Sequence, residues 1–211
     1  MKTKFLSLIL FTLFLAVSCK KKDNPEPEKE PEKETPLEKI TIGNKAYDVV
    51  KIGDQLWTNT NYSGEGGIWN DATTSKPEYG KFYTYEEVQQ FALPSGWRVP
   101  TEADYRKLLA SVGVTFKDGQ WTNKEKLKSL TSKTNWNNIA GTNASGFDAH
   151  PGGYSINNTY PTGGSNAEFW TTSDKTFSIM EGGNLTSYNA TFYAKSNQPD
   201  RFNVRFVKDV Q

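Results

Sequence analysis

Hydrophobic residues run almost unbroken from Phe5 to Val17, behind the basic Lys2 and Lys4. As a helix that run would measure about 20 Å. This is short of the ~30 Å of a bilayer core and fits the apolar centre of an export signal. From Lys20 to Glu38 the pattern inverts: Lys, Glu and Pro dominate, and Leu37 is the lone apolar residue. Such a stretch cannot bury enough surface to offset its ordering entropy, and Pro25, Pro27, Pro31 and Pro36 interrupt any helix. The pattern therefore predicts a signal over 1–18, a tether over 19–38 and one folded domain over 39–211.

Within that domain, period-two alternation predicts strands at 40–42, 46–52 and 55–57, with turns at Gly43-Asn44 and Gly53-Asp54. Residues 59–80 are polar and rich in glycine and read as loop. Thr84 followed by Glu87 has the capping-box spacing, with Val88 and Phe91 behind it, and predicts a helix over 84–92. Thr101 with Asp104 is a weaker box. Tyr105, Leu108, Leu109 and Val112 then recur at helical spacing and predict a helix over 102–112. A short third helix is expected around Leu127 and Leu130. Residues 135–168 read as loop. Strand-like segments return at 168–172, 177–180, 190–194 and 202–207, and the first and last strands are expected to pair. The order predicts an α+β domain: two or three short helices, a small, mainly antiparallel sheet and long loops.

Composition narrows the chemistry. Lys and Arg total 25 against 24 Asp and Glu, a formal charge of +1, which offers no basic face for nucleic acid. The one cysteine, Cys19, follows Ala16-Val17-Ser18, small residues ending the apolar run. With no second cysteine there is no internal disulfide, and the context resembles a bacterial lipobox. Acyl chains on Cys19 would contribute ~0.8 kcal/mol per buried methylene and hold the protein to a membrane. The expected location is the bacterial outer membrane, with either face open.

A wider resemblance rests on several segments in series. These are Tyr47-x-x-Val50-x-Ile52-Gly53-x-Gln55-x-Trp57, Gly80-x-Phe82-Tyr83-Thr84 and Pro94-Ser95-Gly96-Trp97-Arg98-x-Pro100-Thr101. Gly146-Phe147-x-Ala149-x-Pro151-Gly152-Gly153, Phe169-Trp170-Thr171-Thr172-Ser173 and Val204-Arg205-Phe206-Val207-Lys208-Asp209 follow. Together they resemble the Fibrobacter succinogenes major paralogous domain of exported bacterial lipoproteins. The resemblance implies a C-type lectin-like fold, close to that of formylglycine-generating enzyme. It also implies a disulfide at the positions where Leu93 and Phe206 stand here, so these two are expected to lie close and pack as apolar residues.

Catalytic chemistry finds little support in the residues. The only histidine, His150, belongs to no nucleophile motif and reads as a packed or surface residue. The copper and cysteine chemistry of formylglycine-generating enzyme cannot transfer to a domain without cysteine. Zinc sites need clustered His and Cys. Calcium takes oxygen ligands, and Glu168, Asp174 and Glu181 fall near the region where the resemblance places ligands. However, neither an EF-hand spacing nor the sugar-binding Glu-Pro-Asn or Gln-Pro-Asp motif occurs. No cofactor, metal or enzymatic activity is expected.

Binding is the better class. Pyranose rings present apolar C–H patches beside polar rims, and Trp136, Tyr154, Tyr160, Asn166 and Glu168 offer aromatic, amide and carboxylate groups to match. The expectation is a lipid-anchored binding module for a glycan or an envelope protein. The alternatives are a structural subunit of a surface appendage and an enzyme with loop-based chemistry.

Overall fold

The computed structural model describes residues 38–70, 76–173, 175–194 and 200–210. The chain divides into Met1–Thr35 and Pro36–Gln211. The signal and Cys19, nearly all of the tether, and Asp174 lie outside the described residues.

Strands β1 (Lys39–Ile42), β2 (Lys45–Ile52) and β3 (Gln55–Thr58) form consecutive antiparallel hairpins. Alternation buries Ile40, Ile42, Tyr47, Val49 and Ile52 and leaves Lys39, Thr41 and Lys51 in water. Next come β4 (Ile68–Trp69) and β5 (Lys81–Phe82), which pair with each other, then helices α1 (Tyr85–Val88) and α2 (Glu102–Ser111). A hairpin of β6 (Thr115–Lys117) and β7 (Gln120–Thr122) leads into a 3-10 helix, Lys124–Ser129. After a long loop come β8 (Ser155–Ile156), β9 (Asn166–Trp170), β10 (Lys175–Glu181), β11 (Tyr188–Ala194) and β12 (Asp200–Arg201). The last strand, β13 (Val207–Asp209), returns to pair antiparallel with β3 and completes a sheet in the order β1-β2-β3-β13. A second sheet runs β11-β10-β9, also antiparallel. The domain is α+β, dominated by antiparallel strands.

Both predicted caps form. Thr84 with Glu87, and Thr101 with Asp104, exchange the two hydrogen bonds of a capping box. The first helix is shorter than the predicted 84–92. Beyond Gln90 the chain turns so that Phe91 packs among Tyr62, Tyr83 and Phe206, with ring centroids 4.8, 5.2 and 5.9 Å away. Aromatic packing there overrides helical propensity. The third helix is 3-10 rather than α. The predicted strand 202–207 is split, because its peptide groups serve different neighbours: Asn203 O accepts from Trp170 N, Val204 O from Tyr62 N and Phe206 O from Thr58 N. The polar stretch 59–80 holds β4 and a 3-10 turn at Pro77–Tyr79. Leu93 packs against the apolar cluster that contains Phe206.

Two aromatic-rich clusters form the core, and Arg205 joins the segments between them. Its guanidinium is fully buried, with Phe147 and Phe169 at 4.7 and 5.6 Å. It donates to Asn61 Oδ1, Thr58 O, Phe147 O and Asp148 O at 2.6 to 2.9 Å. Burial pulls its pKa down to about 10, with Asp148 opposing. Lysine lacks the planar fork and carries three donors, so Arg205→Lys leaves at least one of these four acceptors unpaired. At ~1–3 kcal/mol for a buried orphan, urea unfolding is expected to show a loss of at least about 1–3 kcal/mol.

Candidate functional site

The second sheet separates its faces by strict alternation. Ala167, Phe169, Phe177 and Ile179 turn to the core. Asn166, Glu168, Thr176 and Ser178 share the opposite face, brought level by the pairs Ser178↔Glu168 and Thr176↔Trp170. That face is polar yet buried: Glu168 is 4% exposed, and the other three no more than 2%. Glu168 accepts from the Thr176 hydroxyl and, at 2.9 Å, from the Asn166 amide; Ser178 Oγ donates to Asn166 Oδ1 at 2.6 Å. Asp200, on β12, and Tyr154 close on the same group. Burial raises the Tyr154 hydroxyl pKa first, and the Glu168 and Asp200 charges add to it.

Of the five residues expected to bind ligand, Tyr154, Asn166 and Glu168 therefore come together. The other two are committed elsewhere. Trp136 is half-buried, packs edge-on against Tyr188 at 4.8 Å and donates from Nε1 to Ser132 Oγ. Tyr160 packs on Phe82 at 5.2 Å, and its hydroxyl donates to Trp69 O. His150, read as either a packed or a surface residue, is packed, with Nε2 3.2 Å from Asp148 Oδ2. Among the described residues no group of three or more His, Cys, Asp or Glu gathers to hold a metal.

A more open site lies where the sequence drew no attention. A cleft of about 1000 Å³ opens between the β1–β2 turn, the Tyr62–Gly66 loop and the end of α1. Tyr62 and Phe91 line it, backed by Tyr83 and Phe206. Asn44, Glu65 and Gln90 are exposed along it. Its glycine wall is fixed from behind. Lys81 Nζ donates to Gly64 O and Gly66 O at 2.8 and 2.9 Å, and Glu87 Oε1 accepts from Gly67 N. Glu87 is in turn held by Arg201 at 2.7 Å and by the α1 cap. A Cβ on Gly64 would lie 2.3 Å from the Tyr62 hydroxyl, so no other residue lets the loop run this close to the ring. Glycines 64, 66 and 67 beside Tyr62 were the available signal for this site.

Most of the segments that build these two places lie within one family match. Residues 50–208 match the Fibrobacter succinogenes major domain. The chain belongs to that family. No curated protein and no solved structure matches it. The major domain spans β3, α2, the polar face of β9–β10 and most of β13, while Ile42–Lys45, one wall of the cleft, precede it.

Burial lifts the Glu168 carboxyl above its ordinary range, and Asp200 adds to this against the pull of Thr176 and Asn166. The folded pKa exceeds the unfolded one, so the folded state holds the proton more tightly. Stability is full below the unfolded value of about 4.3 and falls as pH rises through the folded value. Glu168→Gln mimics the protonated acid. Thermal melts over this pH window are expected to fall with pH in the native chain and to stay flatter in the variant. Parallel curves would remove Glu168 as the cause.

Proposed function

We propose that this protein is a lipid-anchored binding module of the bacterial outer membrane that recognises a glycan through the Tyr62–Phe91 cleft. The observation that carries this reading is the cleft itself: an aromatic lining beside exposed amide and carboxylate groups, with its wall held in place before any ligand arrives. Aromatic rings suit the apolar C–H faces of pyranoses, while Asn44, Gln90 and Glu65 match their hydroxyl rims. Pre-formed walls reduce the ordering entropy of binding. The polar face around Glu168 is a poorer receptor as it stands, since its groups bond to one another out of water.

The fold supports the same reading. Two short helices, small antiparallel sheets and a long loop region between Leu130 and Asn166 fit a variant of the C-type lectin-like architecture. The family carries no activity with it, because function resides in sites rather than folds. The anchor rests on the apolar run before Cys19 and the tether behind it.

A glycan array probed with the full-length chain is expected to give a defined set of positive sugars. Asn44→Ala and Gln90→Ala, both on exposed residues, are each expected to weaken that binding roughly 5-fold, about 1 kcal/mol, without moving the melting temperature. Absence of sugar binding, or variants that bind as well as the native chain, would defeat the assignment. Separately, labelled fatty acid is expected to enter the native protein and not Cys19→Ser.

A further inference from the structure

We propose a second, independent site: a basic pocket that binds a phosphate or sulfate ester. It has a volume of about 540 Å³ and lies where the β2–β3 turn, the end of α2, the 3-10 helix and the Thr142–Ser145 loop converge. Lys51, Lys126 and Lys128 line it together, against the single carboxylate of Glu125.

Those three lysines differ from most of the others. Lys39 pairs with Asp48, Lys107 with Asp209 and Lys175 with Glu102. Lys76 donates to Asn135, Lys81 to loop carbonyls and Lys124 to Asn189. The ammonium groups of Lys51, Lys126 and Lys128 meet no hydrogen-bond or ion-pair partner among the described residues. In a chain whose charges almost cancel, three unpaired cations on one concave surface repel one another, and a bound anion relieves that repulsion.

The surroundings suit an oxyanion. At the helix end Ala110 O accepts from Gly113 N, Leu109 O from Val114 N, and Lys107 O from the Ser111 hydroxyl at 2.9 Å, so these carbonyls are not bare toward an anion. The turn is pressed against that helix end: a Cβ on Gly53, where φ is +62°, would lie 2.2 Å from Ser111 Oγ. Each lysine acts as a point charge without the planar fork that selects carboxylates, so a tetrahedral, multiply charged group is the better fit. Phosphorylated lipid headgroups and soluble phosphate or sulfate esters share this chemistry.

The test titrates the full-length chain with pyrophosphate, and in parallel with vesicles containing an anionic phospholipid or only a zwitterionic one. Pyrophosphate is expected to bind and to raise the melting temperature, with affinity falling as salt rises. Lys51→Gln, Lys126→Gln and Lys128→Gln are each expected to weaken binding roughly 3- to 10-fold, and the triple variant to lose it. Lys117→Gln, an exposed lysine outside the pocket, is expected to change nothing. Binding to anionic vesicles but not to pyrophosphate, lost in the triple variant, assigns the site to a lipid headgroup. Equal loss with Lys117→Gln, unchanged binding in the triple variant, or no binding to either probe would overturn the proposal.

Discussion

The domain depends on one buried cation. Arg205 joins the carbonyls of Thr58, Phe147 and Asp148 to the amide of Asn61, and so ties the end of β3, the loop after it and the long central loop to the closing segment. Among the described residues no carboxylate receives its hydrogen bonds directly. The charge is spread over carbonyl dipoles and the faces of Phe147 and Phe169. A buried charge without such partners would cost far more than the fold can offset. The irregular course of Phe202–Phe206 follows from this, since a straight strand could not serve Asn61, Thr58, Tyr62 and Trp170 at once.

Two surfaces then divide the polar chemistry. Around Glu168 a polar sheet face is closed, its side chains satisfying one another, with Tyr154 and Asp200 within electrostatic reach. Around Tyr62, itself buried, and the half-buried Phe91 a cleft opens, and Asn44, Glu65 and Gln90 along it face outward. The closed face holds a carboxyl that favours its proton. The open cleft keeps its charged wall residue Glu87 paired with Arg201. A ligand at the closed face would have to break an existing network, whereas one at the cleft would displace only water.

Local rules read well where the pattern was local. The boxes at Thr84 and Thr101, the hairpins through Gly43 and Gly53 and the core stripe of Tyr105, Leu108 and Leu109 follow from spacing alone. The helix predicted to Ala92 failed because Phe91 found three aromatic partners distant in sequence. Tyr154, Asn166 and Glu168 read as ligand-binding groups, but periodicity could not reveal that the strand face of Asn166 and Glu168 is buried. Trp136 read as a free platform, whereas Tyr188 occupies its ring. The cleft was not legible because its walls come from three separated segments, whose turn and cap signals each read as local structure.

Lys81 has a consequence of its own. Many sugar-binding loops are drawn into shape by a divalent ion that gathers backbone carbonyls. Here a side chain performs that gathering, with its ammonium on the carbonyls of Gly64 and Gly66. The wall is thereby encoded covalently. Those two hydrogen bonds come from the chain itself, so a chelator has no ion to remove from between Lys81 and these carbonyls.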